Sequence, residues 1–305
     1  MHVGHLGGPF GELRRLWRFA DGRGFDWFSV SDHFQETPHQ GGAGDCFESV
    51  AALTAAAADT TRVKVGCLVF SVAFRNPGLL AKSLTAIDHI SNGRAQCGIG
   101  AGWNEPEYHA YGYEFPGVRT REDQLEEYAR ALRLLFDEPF ADFAGTHYAL
   151  RHASNNPRPV QARLPLWIGG AGEKRTLRTA ALFADGWNAP YLAPAAWKRK
   201  NGLLDRWCAE FGRDGGRIAR TVNVGFYMGA DPKGAARGEE RYQREWGGDA
   251  RGFTGFLRGT PSQTTQTVME YRDAGAERLN IAVRGAPYDW DALAAFAEQV
   301  IPDAA

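Results

Sequence analysis

The sequence predicts an α/β fold, a (β/α)8 TIM barrel with a short or degenerate first strand and a polar insertion before the last barrel units. Three observations carry that expectation. Short β-rich runs alternate with helix-length amphipathic stretches along most of the chain, which implies parallel strands joined by right-handed crossovers. The 305 residues exceed the roughly 250 that such a barrel needs before insertions. No tandem repeat, low-complexity tract or Pro/Ser-rich linker divides the chain, so residues 1–305 are expected to form one domain. An open doubly wound sheet is the alternative topology for the same alternation.

The elements follow in order. Met1–Leu6 is the only stretch available for a first strand, and His2-Val3-Gly4-His5-Leu6 is a poor one. Either it forms a short strand or the natural strand lies upstream. Phe25–Ser31 reads as a strand ending in Asp32-His33. Asp45 with Glu48 resembles a capping box and opens a helix through about Ala58. Arg62–Phe70 alternates Val63, Val65, Cys67 and Val69, a strand pattern. Asn76-Pro77 fits the N-cap and first position of a helix that stops near Gly93. Ala95–Gly100 is a strand, and Thr120 with Asp123 caps a helix to about Phe136. Leu164–Gly169, Asp185–Ala189, Thr221–Met228 and Arg278–Val283 supply four more strands. Helices lie near Lys174–Phe183, Pro194–Phe211 and Pro261–Ala274. These are seven β-then-α units, one short of closure. The polar stretch Asp231–Arg258, punctuated by Tyr242, Trp246, Phe253 and Phe256, is either a solvated excursion or a lid over the barrel mouth.

Composition narrows the function. The 35 basic and 36 acidic side chains leave a net charge of -1, which argues against nucleic acid or an acidic membrane as partner. No apolar run approaches a membrane span, and MHVGHLGGPF lacks the basic and apolar regions of a secretory signal. Cys46, Cys67, Cys97 and Cys208 show no CxxC spacing; reduced thiols and a cytoplasmic location are expected. With no HExxH and no HxH pair, no metal site is expected. There is no GxSxG for acyl transfer.

In a barrel, chemistry gathers at the C-terminal strand ends. His33 would rise there and could exchange a proton near neutral pH, or be tied to Asp32 for structural reasons. Gly98-Ile99-Gly100-Ala101-Gly102-Trp103 has GxGxG spacing, which is not the dinucleotide fingerprint; its glycines would let a flat ligand approach the backbone. Gly169-Gly170-Ala171-Gly172-Glu173-Lys174-Arg175 runs from a strand into a helix, so free amides converge on one point as an anion site, with Lys174 and Arg175 adding charge. A plain glycine-rich turn is the structural alternative. An anion anchor, a glycine trough and one histidine together point to a phosphorylated organic cofactor.

Three segments carry a resemblance: GFDWFSVSDHFQ, FRNPGLLAKSLTAIDHISNGRAQCGIGAGWNEPEYHAYG and LWIGGAGEKRTLRTAALFADGWNA. They resemble the luciferase-like monooxygenase superfamily, and its coenzyme F420-dependent oxidoreductase branch in particular; LRGTPSQTTQTVMEYRDAGAERLNIAV resumes the match. The resemblance implies a TIM barrel, a homodimer, and a deazaflavin held at the barrel mouth, with FMN as the alternative cofactor. It implies cofactor contacts at Asp32, His33, Val69, Phe70, Ser71, Gly100, Ala101, Gly102, Trp103 and the 169–175 turn. It implies a non-prolyl cis peptide within Leu68–Val72 and a proton-transfer role for His33. The glutamate that some relatives carry after their glycine turn is Trp103 here, with Glu105 two residues on as the carboxylate candidate. A tryptophan of that family is replaced by Thr37, and a threonine by Phe70.

The expected function is hydride transfer between F420 and a small organic substrate, with His33 and Glu105 as the catalytic pair. A two-component FMN monooxygenase using O₂ is the first alternative, and a non-catalytic flavin-binding relative the second.

Overall fold

The structure, a computed structural model, describes residues 1–36, 41–247 and 252–304. Eight parallel strands close into a ring: β1 (His2–His5), β2 (Trp27–Val30), β3 (Lys64–Cys67), β5 (Ala95–Gly100), β8 (Leu166–Gly169), β9 (Gly186–Pro190), β10 (Ala219–Met228) and β12 (Arg278–Arg284). This is the TIM barrel, and the open sheet is excluded because no barrel strand is left with a free edge: β1 pairs with both β2 and β12, and β9 with β10, closing the ring. His2 aligns with Ser29 and with Ala282, and Val3 with Val30 and Val283. The poor first strand is therefore the closing strand. Short and flanked by histidines, it is held by neighbours on both edges and by one fully buried side chain, Val3.

The remaining strands are accessories. β3 ends earlier than its alternation predicts; a cis peptide joins Leu68 to Val69, and a two-residue β4 (Phe70–Ser71) then pairs with Ile99 and Gly100 of β5. β6 (Ala141–Ala144) and β7 (Ala149–Ala153) form a separate antiparallel hairpin. β11 (Phe256–Gly259) pairs with the last residues of β10.

Helices fill the crossovers. α1 (Phe10–Gly22), absent from the expected elements, buries Leu13, Leu16, Trp17 and Ala20 at helical spacing. α2 (Ser49–Asp59) starts later than the expected capping box. Its N-cap is Glu48, whose carboxylate accepts from the Ala51 amide, and Asp45 lies outside the helix. α3 (Pro77–Ile90) has Asn76 as N-cap, as its sequence predicts, accepting from Gly78 N–H. α4 (Glu105–Ala110) is short. α5 (Val118–Asp137) begins two residues before the expected Thr120. α6 (Thr176–Phe183) and α7 (Pro194–Glu210) follow. The polar stretch folds largely as α8 (Pro232–Trp246) and β11; residues 248–251 of it, like Thr37, lie outside the described residues. α9 (Pro261–Asp273) carries a Thr260/Gln263 capping box, and α10 (Trp290–Ala295) leads into a helical run to residue 304.

All four cysteines are free thiols, and Cys67, Cys97 and Cys208 are buried. No helix among the described residues is long and apolar enough to cross a membrane.

Candidate active site

Trp27, Leu68 and Trp167 pack together as a plug inside the barrel, with the Trp167 indole donating to Gln96 Oε1 at 2.9 Å. Above this plug lies a cavity of about 470 Å³, walled by residues at the C-terminal ends of the strands. The barrel thus has a filled floor and one open mouth, where barrel chemistry resides.

Asp32 and His33 leave β2 at that mouth. Asp32 is buried and ties three elements together. It accepts from Ser49 Oγ at 2.6 Å, from the Ser71 amide at 3.0 Å and from Arg75 at 2.7 Å. Arg75 also binds Glu48 at 2.6 Å. Asp32 is thus an anchor that fixes the β2 end against β4, and its partners differ from those of His33. His33 Nδ1 lies 2.8 Å from Glu107 Oε2. Glu107 Oε1 accepts from the amides of Phe34 and Gln35 at 2.6 and 3.1 Å. The carboxylate is 1% exposed. Burial pushes it up, but the His33 ring and the two amides outweigh burial and hold it below the usual carboxylate range. A carboxylate only accepts, so the proton of the neutral ring sits on Nδ1 and Nε2 is left as a base.

Glycines shape the opposite wall. The Val69 side chain occupies the space where side chains of Gly100 and Gly169 would stand; a Cβ on either glycine would lie 2.5 Å from a Val69 methyl. Gly102, at φ +78, leaves room for the Tyr108 hydroxyl, which bonds Ser71 Oγ beneath it. Val69 and these glycines together form one slot-like stretch of the cavity wall. Asn104 adds a polar edge: it is 2% exposed, yet neither its Oδ1 nor its Nδ2 has a partner among the described residues.

The structure brings most of the expected residues to one cavity: Asp32, His33, Val69, Ser71, Gly100, Ala101, Gly102, Trp103 and the 169–172 turn all line it. Five others stand elsewhere. Phe70 alternates away from Val69 into the core and is fully buried. Glu105 opens α4 toward solvent, while Glu107, two residues on, turns inward. Glu173 pairs with Arg199 and Lys200 of α7 at 2.6 and 2.7 Å. Arg175 pairs with Asp123 and Glu126 of α5. Lys174 is exposed beyond the cavity. The charge expected to serve an anion at the start of α6 is thus directed outward or neutralised. The residue that α5 sends to this point is acidic: Glu122 Oε1 accepts from Thr176 Oγ1 at 2.7 Å.

The far wall comes largely from the stretch read as a solvated excursion or a lid, which supplies Trp246 and Phe253; Tyr191 is not among the residues expected from sequence. Tyr191 follows β9, Trp246 ends α8 and Phe253 lies in the segment before β11; their ring centroids are 5.0–6.0 Å apart. Arg284, at the end of β12, stacks over Tyr191 and Trp246 at 5.4 and 4.8 Å. The polar stretch therefore builds part of the cavity. The spacing of its aromatics was the available signal. Among the described residues, no cluster of three His, Cys, Asp or Glu side chains could hold a metal ion.

The chain shares its architecture with oxidoreductases. It superposes on an F420-dependent secondary alcohol dehydrogenase, solved with an F420-acetone adduct, with a TM-score of 0.83 at 19% identity, covering 100% of this chain and 99% of that one. A monooxygenase from Streptomyces bottropensis gives 0.82 at 22% identity, with the same coverage. An uncharacterised protein of Mycobacterium tuberculosis is 31% identical over 212 residues, 65% of this chain and 74% of that one. An F420-dependent glucose-6-phosphate dehydrogenase of Kineococcus radiotolerans is 30% identical over 224 residues, 70% of this chain and 63% of that enzyme. The chain thus spans less than two-thirds of that dehydrogenase's length. The model of the luciferase-like monooxygenase family matches residues 2–246, and the chain belongs to that family.

Proposed function

We propose that the chain is an F420-dependent oxidoreductase that exchanges a hydride between the deazaflavin and a small organic substrate, with His33 handling the proton. The observation that carries this reading is the His33–Glu107 pair standing beside a glycine-walled slot. The residues present fit a flat heteroaromatic group. Gly100, Gly102 and Gly169 line the cavity without placing a side chain in it, and the unpartnered amide of Asn104 can both donate to and accept from a ring edge. Bound there, the deazaflavin would supply the hydride chemistry.

The chain's own residues supply the rest. Glu107 holds His33 in the Nδ1–H tautomer, so Nε2 can take the proton from a substrate hydroxyl or return it to a developing alkoxide. The Glu107 charge stabilises the imidazolium formed in that step. Leu68, Val69, Phe74, Tyr191, Trp246 and Phe253 give the cavity its apolar lining. The aromatic wall favours a substrate with an apolar body. The proposal includes a cytoplasmic homodimer, with residues 1–305 acting as one domain.

An FMN-dependent monooxygenase is the second reading, favoured by the likeness in fold to the Streptomyces enzyme. Turnover separates the two. Anaerobic oxidation of an alcohol coupled to loss of F420 absorbance, cut by about 10²–10⁴-fold in His33→Ala, is expected. Turnover that needs O₂ and reduced FMN would replace it with the second reading.

A further inference from the structure

We propose that Glu122 is a specificity determinant of the cofactor's phosphate: it admits a singly charged phosphodiester and disfavours a doubly charged phosphomonoester. The proposal deepens the F420 reading and rests on it for the identity of the natural cofactor. F420 carries its phosphate as a diester, with one negative charge. FMN carries a monoester whose second proton leaves near pH 6.

The geometry places a carboxylate where the phosphate subsite was expected. Glu122 lies on α5 but reaches the first residue of α6, accepting from Thr176 Oγ1 at 2.7 Å. Its Oε1 lies 3.4 Å from where a Cβ on Gly172 would stand. Glu122, Gly170, Gly172 and Thr176 line the same cavity. The second oxygen, Oε2, is buried with no hydrogen-bond partner among the described residues. The buried amide of Asn104, which lines the same cavity, is also unpartnered, so the wall holds polar atoms that an incoming ligand, a proton or water would satisfy.

The local charge balance points the same way. Arg121 and Asp123 flank Glu122 on its own helix, and Arg175 and Thr176 face it from the start of α6. Arg121 is committed to the carbonyls of Pro116 and Gly102. Arg175 is committed to Asp123 and Glu126, and Arg178 to Glu126. Arg121, Arg175 and Arg178 thus stand against Glu122, Asp123 and Glu126, with the exposed Lys174 beyond the cavity. The α6 N-terminus offers its dipole to an anion, although the Leu177 and Gly170 amides are taken by the carbonyls of Gly172 and Asn188; an environment so balanced suits one negative charge better than two. Burial pushes the Glu122 carboxyl up, against the pull of Thr176 and Arg175. The group therefore takes a proton more readily than an ordinary glutamate as pH falls.

The test is equilibrium binding of riboflavin, FMN and F420 to wild type and Glu122→Gln, read by fluorescence quenching at pH 5.5 and pH 8. Riboflavin and FMN differ only in the phosphate, so their affinity ratio isolates the carboxylate whatever the natural cofactor. At pH 8, Glu122→Gln is expected to raise FMN affinity relative to riboflavin by about tenfold or more, the scale of one removed charge at short range. F420 affinity should rise less. In wild type, the FMN preference over riboflavin should be weaker at pH 8 than at pH 5.5, and by more than in Glu122→Gln, where the FMN phosphate still titrates but the carboxylate is gone. An FMN-to-riboflavin ratio that Glu122→Gln leaves unchanged would overturn the proposal, as would a wild-type preference that is equal or stronger at pH 8, or weakened no more than in Glu122→Gln. If F420 fails to bind while the ratio responds as expected, the F420 reading falls and the role of Glu122 stands.

Discussion

Replacing Glu107 by Gln probes the proton-handling pair with almost no change of volume. The carboxylate accepts three hydrogen bonds, from His33 Nδ1 and from the amides of Phe34 and Gln35. An amide has one accepting oxygen and one donating nitrogen. If its oxygen keeps the two backbone amides, its NH₂ meets His33 Nδ1 and the ring must shift its proton to Nε2. The atom facing the cavity then donates where a base is required. Losing a positioned base costs about 10²–10⁴-fold, or about 3–5 kcal/mol in the barrier. The expected result is a fall of that size in kcat/KM, with F420 affinity within a few-fold of wild type and a thermal midpoint little changed. Nitrogen-15 NMR of histidine-labelled protein reports the tautomer directly: Nδ1–H in wild type, Nε2–H in the variant. Wild-type turnover in Glu107→Gln with the tautomer demonstrably switched would refute the reasoning.

Other perturbations test the surrounding structure. Gly169→Ala places a methyl 2.5 Å from Val69, and relieving such overpacking costs about 1–3 kcal/mol. Cofactor affinity should fall by about tenfold or more, and adding Val69→Ala should restore part of it; equal affinities in all three proteins would contradict the slot. Arg75→Met leaves the buried Asp32 without its cation, an effect of about 3–5 kcal/mol that thermal denaturation would register as a large drop in midpoint. An unchanged midpoint would mean that Asp32 is compensated by other partners. His2 is fully buried, and burial, then Arg284, lower its pKa from 6.5 to about 3. The unfolded chain therefore binds the extra proton between those values, so stability rises with pH across that window, by up to about 1.4 kcal/mol per unit. His2→Gln should flatten denaturation midpoints measured between pH 4 and 6.5, and an identical slope would assign the dependence to other groups.

Much of the architecture was legible because backbone and side chain agree locally. The alternation of Val63, Val65 and Cys67 marks β3, and Asn76-Pro77 marks the start of α3, from short-range chemistry alone. β1 was obscure because its stability comes from two neighbours distant in sequence, Ser29–Val30 and Ala282–Val283. The β6–β7 hairpin is largely exposed, so no buried face imposes a two-residue period on its sequence. In the site, the glycines were readable because close approach to Val69 excludes any other residue at Gly100 and Gly169. The charged residues were not. Which side a carboxylate takes in the short helix α4 separates Glu105 from Glu107, and the α5 acids that capture Arg175 lie 49 or more residues away in the chain. The aromatic wall of Tyr191, Trp246 and Phe253 exists only once α8 and the segment before β11 fold over the mouth.

The central claim is that the slot over Val69 binds a deazaflavin within reach of His33, and fluorescence titration of the wild-type protein with F420, beside FMN, tests it most directly. Saturable quenching by F420 at micromolar concentration, weakened in Asn104→Ala and stronger than that by FMN, is the expected result. Saturable binding of FMN with none of F420 would contradict it.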